Sequence, residues 1–240
     1  MLGALQSDGK WDTVFGSVVP EAQGHIARQL GLPDSKTIAF ATNTHELVLR
    51  LHSSLPQPAR ILTSDAEFHS FKRQLCRWQE AGQAEVELVA AEPFADFPER
   101  FLQAARSGEH EMIYLSQVFF NSGYAISFLD ELAELVRDRE TLLVVDGYHA
   151  FMALPTSLSA IADRVFYIAG GYKYAMSGEG VCFMHCPPGL ASRPVNTGWF
   201  AGFTGLEAGV DKVAYAENGM RFAGATFDVS GLYRFNAGQR

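Results

Sequence analysis

Two stretches of the chain decide the fold, TLLVVDGYHA at residues 141–150 and RVFYIAGGYKY at residues 164–174. Each contains an uninterrupted run of aliphatic or aromatic residues and ends in a turn with tyrosine, glycine and a charged group. A continuous apolar run, in contrast to an alternating one, is typical of a parallel strand that is buried on both faces. We therefore predict strands over 141–146 and 164–169, each followed directly by polar chemistry.

Similar short runs recur along the chain and alternate with amphipathic segments, which is the pattern of an α/β fold. Further strands are predicted at residues 38–41, 60–64, 86–90, 112–116 and 180–185, and helices at 20–30, 46–55, 68–81, 96–105 and 128–136. The helix that begins at Pro20 has Gly31 just past its end, as helix termini prefer. The whole pattern predicts a sheet of about seven mostly parallel strands with helices on both faces.

Composition and charge exclude several classes of partner. The chain has 240 residues, of which 48% are hydrophobic and 19% are charged, as in ordinary globular proteins. Its 19 basic and 27 acidic residues give a net charge of −8, which argues against nucleic acid or an anionic membrane as a partner. Neither an apolar run of about 18 residues nor a signal-peptide pattern is found, so we expect a cytoplasmic protein.

Three cysteines, Cys76, Cys182 and Cys186, are too few for a disulfide framework. Cys182 and Cys186 lie on either side of His185, a grouping that could suggest a metal site. No second cluster of ligands accompanies them in the sequence, so buried thiols are the preferred interpretation. We predict no metal.

Residues that directly follow strands are the first candidates for a site, because ligands of parallel sheets bind at the carboxyl ends of the strands. Thr42, Asn43 and Thr44 follow the strand 38–41 and precede a helix. Their hydroxyl, amide and N–H groups could bind an anion, or they could serve only as a helix N-cap. Phe68 follows the strand 60–64 and could stack on a planar ligand or belong to the core.

Asp146 and Lys173 are the charged candidates. A carboxylate at the end of a buried strand, as at Asp146, needs a cation or several donors, unless it caps a helix. Burial would lower the pKa of Lys173 and supply the neutral amine of Schiff-base chemistry, whereas a solvated surface lysine is the alternative. Together the anion-binding turn, the stacking ring, the carboxylate and the lysine match the phosphate, ring, nitrogen and aldehyde of pyridoxal phosphate.

The sequence resembles the class V aminotransferase family of fold-type I pyridoxal-phosphate enzymes, which also contains kynureninases, cysteine desulfurases and related epimerases. The matching segments run in the family's order from about residue 14 to about residue 231. They are ATNTHELVLRL (41–51), SDAEFHSF (64–71), SQVFFNSG (116–123), VVDGYHAFMALP (144–155), AGGYKYAMSGEGVCFMH (169–185), GWFAGF (198–203) and RFAGATFDVSG (221–231). VVDGYHA followed by GGYKY is the most specific pair.

Within the family, the segments YKY and GWFAGF favour kynureninase. Ala201 and the sequence DGYH at residues 146–149 depart from the kynureninase pattern. Cysteine desulfurase is disfavoured, since its nucleophilic cysteine lies on a late loop and the last cysteine here is Cys186.

The resemblance implies pyridoxal 5'-phosphate as the cofactor and a role for each matching residue. Asn43 and Thr44 would hold the phosphate, and Phe68 would stack on the ring. Asp146 would pair with the pyridine nitrogen, and Lys173 would be the catalytic residue that binds the cofactor covalently. The remaining candidates are His149 beside the ring oxygen, Tyr172 at the phosphate, Ser122 as a further cofactor contact, and Trp199 and Thr226, which would act across a homodimer with shared active sites.

The resemblance also implies a domain organisation and a function. Residues 1–240 would form the cofactor-binding large domain, with an N-terminal arm at 1–19 and an irregular dimer-contact region at 190–240. The family's C-terminal small domain, which supplies an arginine for the substrate carboxylate, is expected to be absent. Arg193, Arg221 and Arg234 are then the nearest replacements in sequence.

The implied function is that of an enzyme acting on an amino acid, with aminotransfer as the first expectation. A kynureninase-like hydrolase and a truncated, non-catalytic cofactor-binding remnant are the alternatives. A nucleotide-binding domain is disfavoured because the sequence contains neither a G-x-G-x-x-G turn nor a G-K-[ST] loop.

Overall fold

Seven strands form one sheet in the computed structural model, which describes residues 8–203 and 212–240. They are β1 (Ile38–Ala41), β2 (Ala59–Ser64), β3 (Ala84–Val89), β4 (Met112–Ser116), β5 (Leu142–Asp146), β6 (Val165–Gly170) and β7 (Cys182–His185). Their order across the sheet is β1-β7-β6-β5-β4-β2-β3. The pairs among β2, β3, β4, β5 and β6 are parallel, while β7 runs antiparallel to both β1 and β6. The mostly parallel sheet predicted from the sequence is confirmed.

The central strand β5 explains why both faces of the sheet are covered by helices. All of its residues are buried. Leu143 and Val145 belong to one apolar cluster, and Leu142 and Val144 belong to a second one. Because successive side chains of a strand leave it on opposite faces, a strand that is apolar throughout must be packed against on both sides.

The helices are α1 (Lys10–Thr13), α2 (Val19–Leu30), α3 (Thr44–His52), α4 (His69–Glu80), α5 (Phe97–Ala105), α6 (Leu129–Leu135) and α7 (Ser230–Gln239), and a π-helical turn, Val14–Val18, joins α1 to α2. Buried residues of α2, α5, α6 and α7 contribute to one apolar cluster, and those of α3 and α4 contribute to the other. As predicted, Gly31 lies just past the end of α2, and its φ of 64° is the left-handed conformation that glycine adopts readily. Among the described residues, no helix is long and apolar enough to cross a membrane.

Two stretches differ from the sequence-based expectation. Helical structure begins at Lys10, well before Pro20, so part of the expected arm 1–19 is helical. The region 190–240, expected to be irregular, ends in α7, whose Leu232 and Phe235 are buried. Two glycines within α7 are weak helix formers and dilute its helical signal, so tertiary packing decides its conformation.

Candidate active site

A cleft of about 1280 Å³ lies at the edge of the sheet where the parallel strands have their carboxyl ends. It brings together residues that follow four different strands, as expected for ligand sites in such sheets. Seven of the predicted site residues line it, namely Asn43, Thr44, Phe68, Asp146, His149, Tyr172 and Lys173. This edge of the sheet is therefore the candidate active site.

The N-terminus of α3 forms one wall of the cleft. Asn43 is its N-cap, and the Asn43 side-chain oxygen accepts a hydrogen bond from the N–H of Glu46 at 2.9 Å. Thr44 and His45 line the cleft in the first turn, where backbone N–H groups have no intrahelical partner. The partial positive charge of the helix terminus adds to these donors. The two interpretations of this segment are thus compatible, since Asn43 caps the helix at the point where an anion can bind.

Asp146 ends β5 and is buried, at 8% exposure. One carboxylate oxygen accepts a hydrogen bond from the Tyr114 hydroxyl at 2.7 Å, and the other accepts one from the N–H of Tyr148 at 2.9 Å. Burial raises the pKa of Asp146, and these two hydrogen bonds partly oppose that rise. A buried carboxylate with two neutral donors is well placed to gain from a cationic ligand.

Tyr114 itself was not predicted as part of the site. Its ring stacks on Phe71 of α4, with the centroids 3.6 Å apart and the planes 9° from parallel. This packing fixes the hydroxyl that donates to Asp146. A tyrosine inside an apolar strand gives no signal of such a role in the sequence, because β4 predicts only burial.

Lys173 lies in the turn after β6 and is half-buried. Among the described residues its amine has no hydrogen bond or ion pair, and it lies 5.8 Å from the centroid of the Tyr148 ring. The turn is closed by Ser177, whose N–H and hydroxyl both donate to the carbonyl of Gly171 at 2.9 Å. A Cβ atom at Gly171 would collide with the Ser177 hydroxyl oxygen, so a larger residue there would displace the side chain that closes the turn presenting Lys173.

His149 and Phe68 are neighbouring rings that line the cleft. Their ring centroids lie 6.1 Å apart, and Phe120 packs edge-on against Phe68 at 5.3 Å. Burial lowers the pKa of His149, and the positive charge of Lys173 lowers it further. Phe68 is 40% exposed, so its ring is not part of the core and has a face available for a planar ligand.

Glu67 is the buried carboxyl group that sequence reasoning missed. It is fully buried, and its oxygens accept hydrogen bonds from the Ser64 hydroxyl at 2.6 Å and from the Ser116 hydroxyl at 2.5 Å. Burial raises the pKa of Glu67 to about 7, and the nearby charge of Asp146 contributes to the rise. A glutamate beside Asp65 and His69 is typical of an exposed turn, so nothing local in the sequence indicates its burial.

Three predicted residues do not line the cleft. Ser122 is exposed, and its hydroxyl accepts a hydrogen bond from the N–H of Tyr124. The indole N–H of Trp199 donates to the Thr226 hydroxyl at 3.1 Å. Trp199 also packs against Trp11 and other rings. Contact of Trp199 and Thr226 with a neighbouring subunit's site stays a prediction.

The three arginines suggested for a substrate carboxylate do not line the cleft either. Arg221 is buried and donates to the carbonyls of Asn218, Pro187 and Leu190. Arg234 donates to backbone carbonyls of the turn after Lys173, and the guanidinium of Arg193 lies over the Tyr215 ring. The cationic side chains that do line it, besides Lys173, belong to α4 and are Lys72, Arg73 and Arg77.

The two late cysteines are buried, as predicted. Cys182 lines the cleft at the first residue of β7, and burial raises the pKa of its thiol to about 12. Burial does the same for Cys186. His185, between them, hydrogen-bonds Thr37 and the carbonyl of Ala162. All three residues therefore have structural contacts on β7 or just after it.

The arrangement can be tested against the chemistry of pyridoxal phosphate. A helix N-terminus suits its phosphate, the carboxylate of Asp146 suits a protonated pyridine nitrogen, and the unpaired amine of Lys173 suits its aldehyde. The ring of Phe68 suits stacking on a face of the cofactor ring, and His149 suits the ring oxygen at its edge. The residues present fit the cofactor.

Comparisons with known proteins agree with this fit. The fold is that of fold-type I pyridoxal-phosphate enzymes: a mutant of the lyase C-DES with glycine covalently linked to its pyridoxal-phosphate cofactor superimposes with a TM-score of 0.75 at 17% identity, over 99% of this chain and 64% of that one. The sequence model of the family described as aminotransferase class V matches residues 7–240, and the chain belongs to that family. Pyridoxal phosphate is the family's cofactor, as predicted.

Two further comparisons give one protein that is similar in sequence and one that is similar in fold. The isopenicillin N epimerase of Streptomyces clavuligerus is 29% identical over 196 residues, which cover 75% of this chain and 46% of that protein. The ureidoglycine–glyoxylate aminotransferase of Bacillus subtilis superimposes with a TM-score of 0.71 at 15% identity, over 100% of this chain and 61% of that one. The chain thus spans about half to two thirds of the length of these relatives.

Proposed function

We propose that this chain binds pyridoxal 5'-phosphate in the cleft and acts on an amino acid, with aminotransfer as the reaction. One observation carries the proposal: the same cleft contains the buried carboxylate of Asp146 and the amine of Lys173. That amine has no hydrogen bond or ion pair among the described residues. The buried carboxylate of Asp146 is costly where it lies unless a ligand uses it.

The N-terminus of α3 and the ring of Phe68 bind and orient the cofactor. In this proposal Asn43 and Thr44 hold the phosphate group, with Tyr172 as a further contact from the turn after β6. Phe68 would cover one face of the ring and exclude water from it. His149 would contact the ring oxygen in its neutral form, which its lowered pKa favours.

Asp146 and Lys173 control protons. Asp146 keeps a proton on the pyridine nitrogen, because a carboxylate stabilises the neighbouring cation in a buried site. Lys173 would hold the cofactor through its aldehyde and would then act as the general base that takes the proton from the substrate α-carbon. When bound, pyridoxal phosphate supplies a ring that withdraws electrons from that carbon.

A kynureninase-like hydrolysis is the second candidate reaction within the family. Its support is the pair of segments YKY and GWFAGF, of which the first surrounds Lys173 at the cleft. A non-catalytic cofactor-binding role is the candidate from another class. It is favoured by the absence of Arg193, Arg221 and Arg234 from the residues that line the cleft.

An absorption titration tests the proposal. Added pyridoxal phosphate should give a protein-bound band that differs from the band of the free cofactor. Screening amino acids and kynurenine against that band, with product analysis, separates transfer from hydrolysis. A protein that gives no bound band contradicts the proposal, and a band that no amino acid shifts favours the non-catalytic role.

A further inference from the structure

Glu67 is a buried titratable group that the proposed chemistry does not use. It lies in the turn between β2 and α4, directly before Phe68, and has no exposed surface. Its carboxyl group bridges two strand ends: it accepts from the hydroxyl of Ser64, the last residue of β2, and from both the hydroxyl and the N–H of Ser116, the last residue of β4.

The bridge holds the carboxyl group of Glu67 close enough to Asp146 for the two acids to interact electrostatically. Ser116 is the register partner of Asp146 across the β4–β5 pair, so the two acids act on adjacent strand ends. Tyr114 on β4 is the further titratable group that senses the charge of Glu67. No lysine, arginine or histidine of the described residues is hydrogen-bonded or ion-paired to Glu67 or Asp146. Two acids therefore share a buried edge whose hydrogen-bond donors are all neutral.

We propose that Glu67 is a positioning residue for the cofactor, which acts through Asp146 by holding a proton in the free protein and releasing it to solvent when a cationic ring nitrogen pairs with Asp146. The proposal rests on the proposed function. With one acid neutral, the free site avoids two adjacent buried negative charges, which repel each other strongly in a low dielectric. The arriving cation removes that repulsion, so the second acid can ionise.

Linkage then fixes the sign of the pH effect. Burial and Asp146 raise the pKa of Glu67 to about 7 in the free protein, and a bound cation lowers it. Binding therefore expels a proton below about pH 7 and none above it. Releasing a proton is harder at lower pH, so the affinity for the cofactor falls as the pH falls below 7. In the wild type, Glu67 should therefore make the affinity rise by up to about tenfold per pH unit up to pH 7 and leave it unchanged above pH 7.

The test compares the wild-type protein with Glu67→Gln and with a matched control, Glu99→Gln, an exposed glutamate on α5. Pyridoxal-phosphate dissociation constants are measured for each from pH 5.5 to 8.5. The cofactor's own phosphate titrates equally in all three, so the ratio of the Glu67→Gln value to the wild-type value isolates Glu67. We expect that ratio to rise with pH until about 7 and then to level off, and the Glu99→Gln ratio to stay flat.

A Glu67→Gln ratio that is constant with pH overturns the role of Glu67, whereas a wild-type protein that binds no pyridoxal phosphate overturns the proposed function as well. If Glu67→Gln does not fold, Ser116→Ala makes the same test. It removes one donor that favours the ionised carboxylate, so the pH step should move upward. An unmoved step in a folded Ser116→Ala protein contradicts the proposal.

Discussion

Lys173 is the residue for which the candidate site makes the most direct chemical prediction. Borohydride reduction of the protein with pyridoxal phosphate, followed by peptide mass spectrometry, should find the pyridoxyl group on Lys173. Lys72 is an internal control, because it lines the same cleft but its amine donates to the carbonyl of Asp65 at 2.9 Å. Label on Lys36, Lys72 or Lys212 with Lys173 unmodified would refute the assignment. Lys173→Ala should still bind the cofactor reversibly.

Asp146→Asn should weaken cofactor binding while leaving the shape of the site nearly unchanged. If Asp146 raises the pKa of the pyridine nitrogen by about 3 units, the lost stabilisation is about 4 kcal/mol. Tyr114→Phe makes a graded comparison, because it removes one hydrogen bond to Asp146 but keeps the ring that stacks on Phe71. Affinities from absorption titration should follow the order wild type, Tyr114→Phe, Asp146→Asn. Equal affinities would leave Asp146 with only its structural role, as acceptor for the Tyr114 hydroxyl and the N–H of Tyr148.

The sequence predicts a charged site residue well when that residue follows a continuous apolar run, where a charge is unexpected. Asp146 and Lys173 stand out because each follows a continuous apolar run, and both line the cleft. Glu67 and Tyr114 do not stand out, because a glutamate in a polar turn and a tyrosine in an apolar strand are both ordinary. Their roles depend on a contact with a distant strand, which one sequence does not encode locally.

Substitutions of Asn43 at the N-terminus of α3 can separate its role as a helix cap from anion binding. Asn43→Asp keeps an oxygen that can cap the helix but adds a negative charge beside the predicted phosphate. We expect its stability to stay within about 0.5 kcal/mol of the wild type, while its cofactor affinity falls. Asn43→Ala should lose about 1 kcal/mol of stability through the missing cap. Urea unfolding and cofactor titration of both variants check this, and an undiminished affinity in Asn43→Asp speaks against a phosphate at this terminus.

The strand β7 makes the fold sensitive to acid through His185. Burial lowers the pKa of His185 to about 4, whereas the unfolded chain titrates near 6.5. The unfolded state therefore binds the proton more readily, and stability is lost as the pH falls from about 6.5 to about 4. The shift corresponds to a loss on the order of 3 kcal/mol. The free energy of unfolding of His185→Gln should lack this dependence on pH, whereas the control His69→Gln, at an exposed histidine, should keep it. The same dependence on pH in both variants would count against the assignment to His185.

Some helices and strands can be predicted from their own local sequence, and others cannot. The strands β4, β5 and β6 are predicted well because every residue in them is buried, which produces apolar runs. The helix α7 was missed because glycines at positions 231 and 238 weaken its intrinsic preference. Its burial against the α2 side of the molecule, with Asn236 donating to the carbonyl of Val18, is a tertiary contact that local periodicity does not reveal.

For the molecule as a whole, we predict that cofactor binding exceeds substrate binding. The predicted cofactor contacts from residues 43 to 173 line one cleft, but the three arginines suggested for a substrate carboxylate do not. An unpaired carboxylate in such a site is costly. The protein should therefore bind pyridoxal phosphate and turn over kynurenine and common amino acids slowly. Ordinary turnover and substrate affinity would mean that another cation, such as those of α4, binds the carboxylate.

The predicted homodimer would share its two active sites through Trp199 and Thr226. Trp199 and Thr226 lie outside this chain's cleft and hydrogen-bond each other, so a partner's site is where they would act. Dilution should then weaken the cofactor band as dimers dissociate, and Thr226→Ala should shift that loss to higher protein concentration. Sedimentation measured alongside absorbance checks this. A band that is independent of concentration, in a protein shown to be monomeric, would remove the need for a partner.

The position of β7 has a consequence for how the site comes together during synthesis. β1 pairs with β7 alone, and β7 also lies against β6, so the turn after β1 and the turn that carries Lys173 are joined through a strand some 140 residues later in the chain than β1. Contacts between such distant segments form late, because a long loop must first close. A nascent chain on the ribosome can complete the β2–β6 sheet before residues 182–185 emerge, yet β1, which precedes the turn with Asn43 and Thr44, has no strand to pair with until they do. Cofactor capture should therefore wait until β7 has docked between β1 and β6, and bound cofactor would stabilise the chains in which that docking is complete.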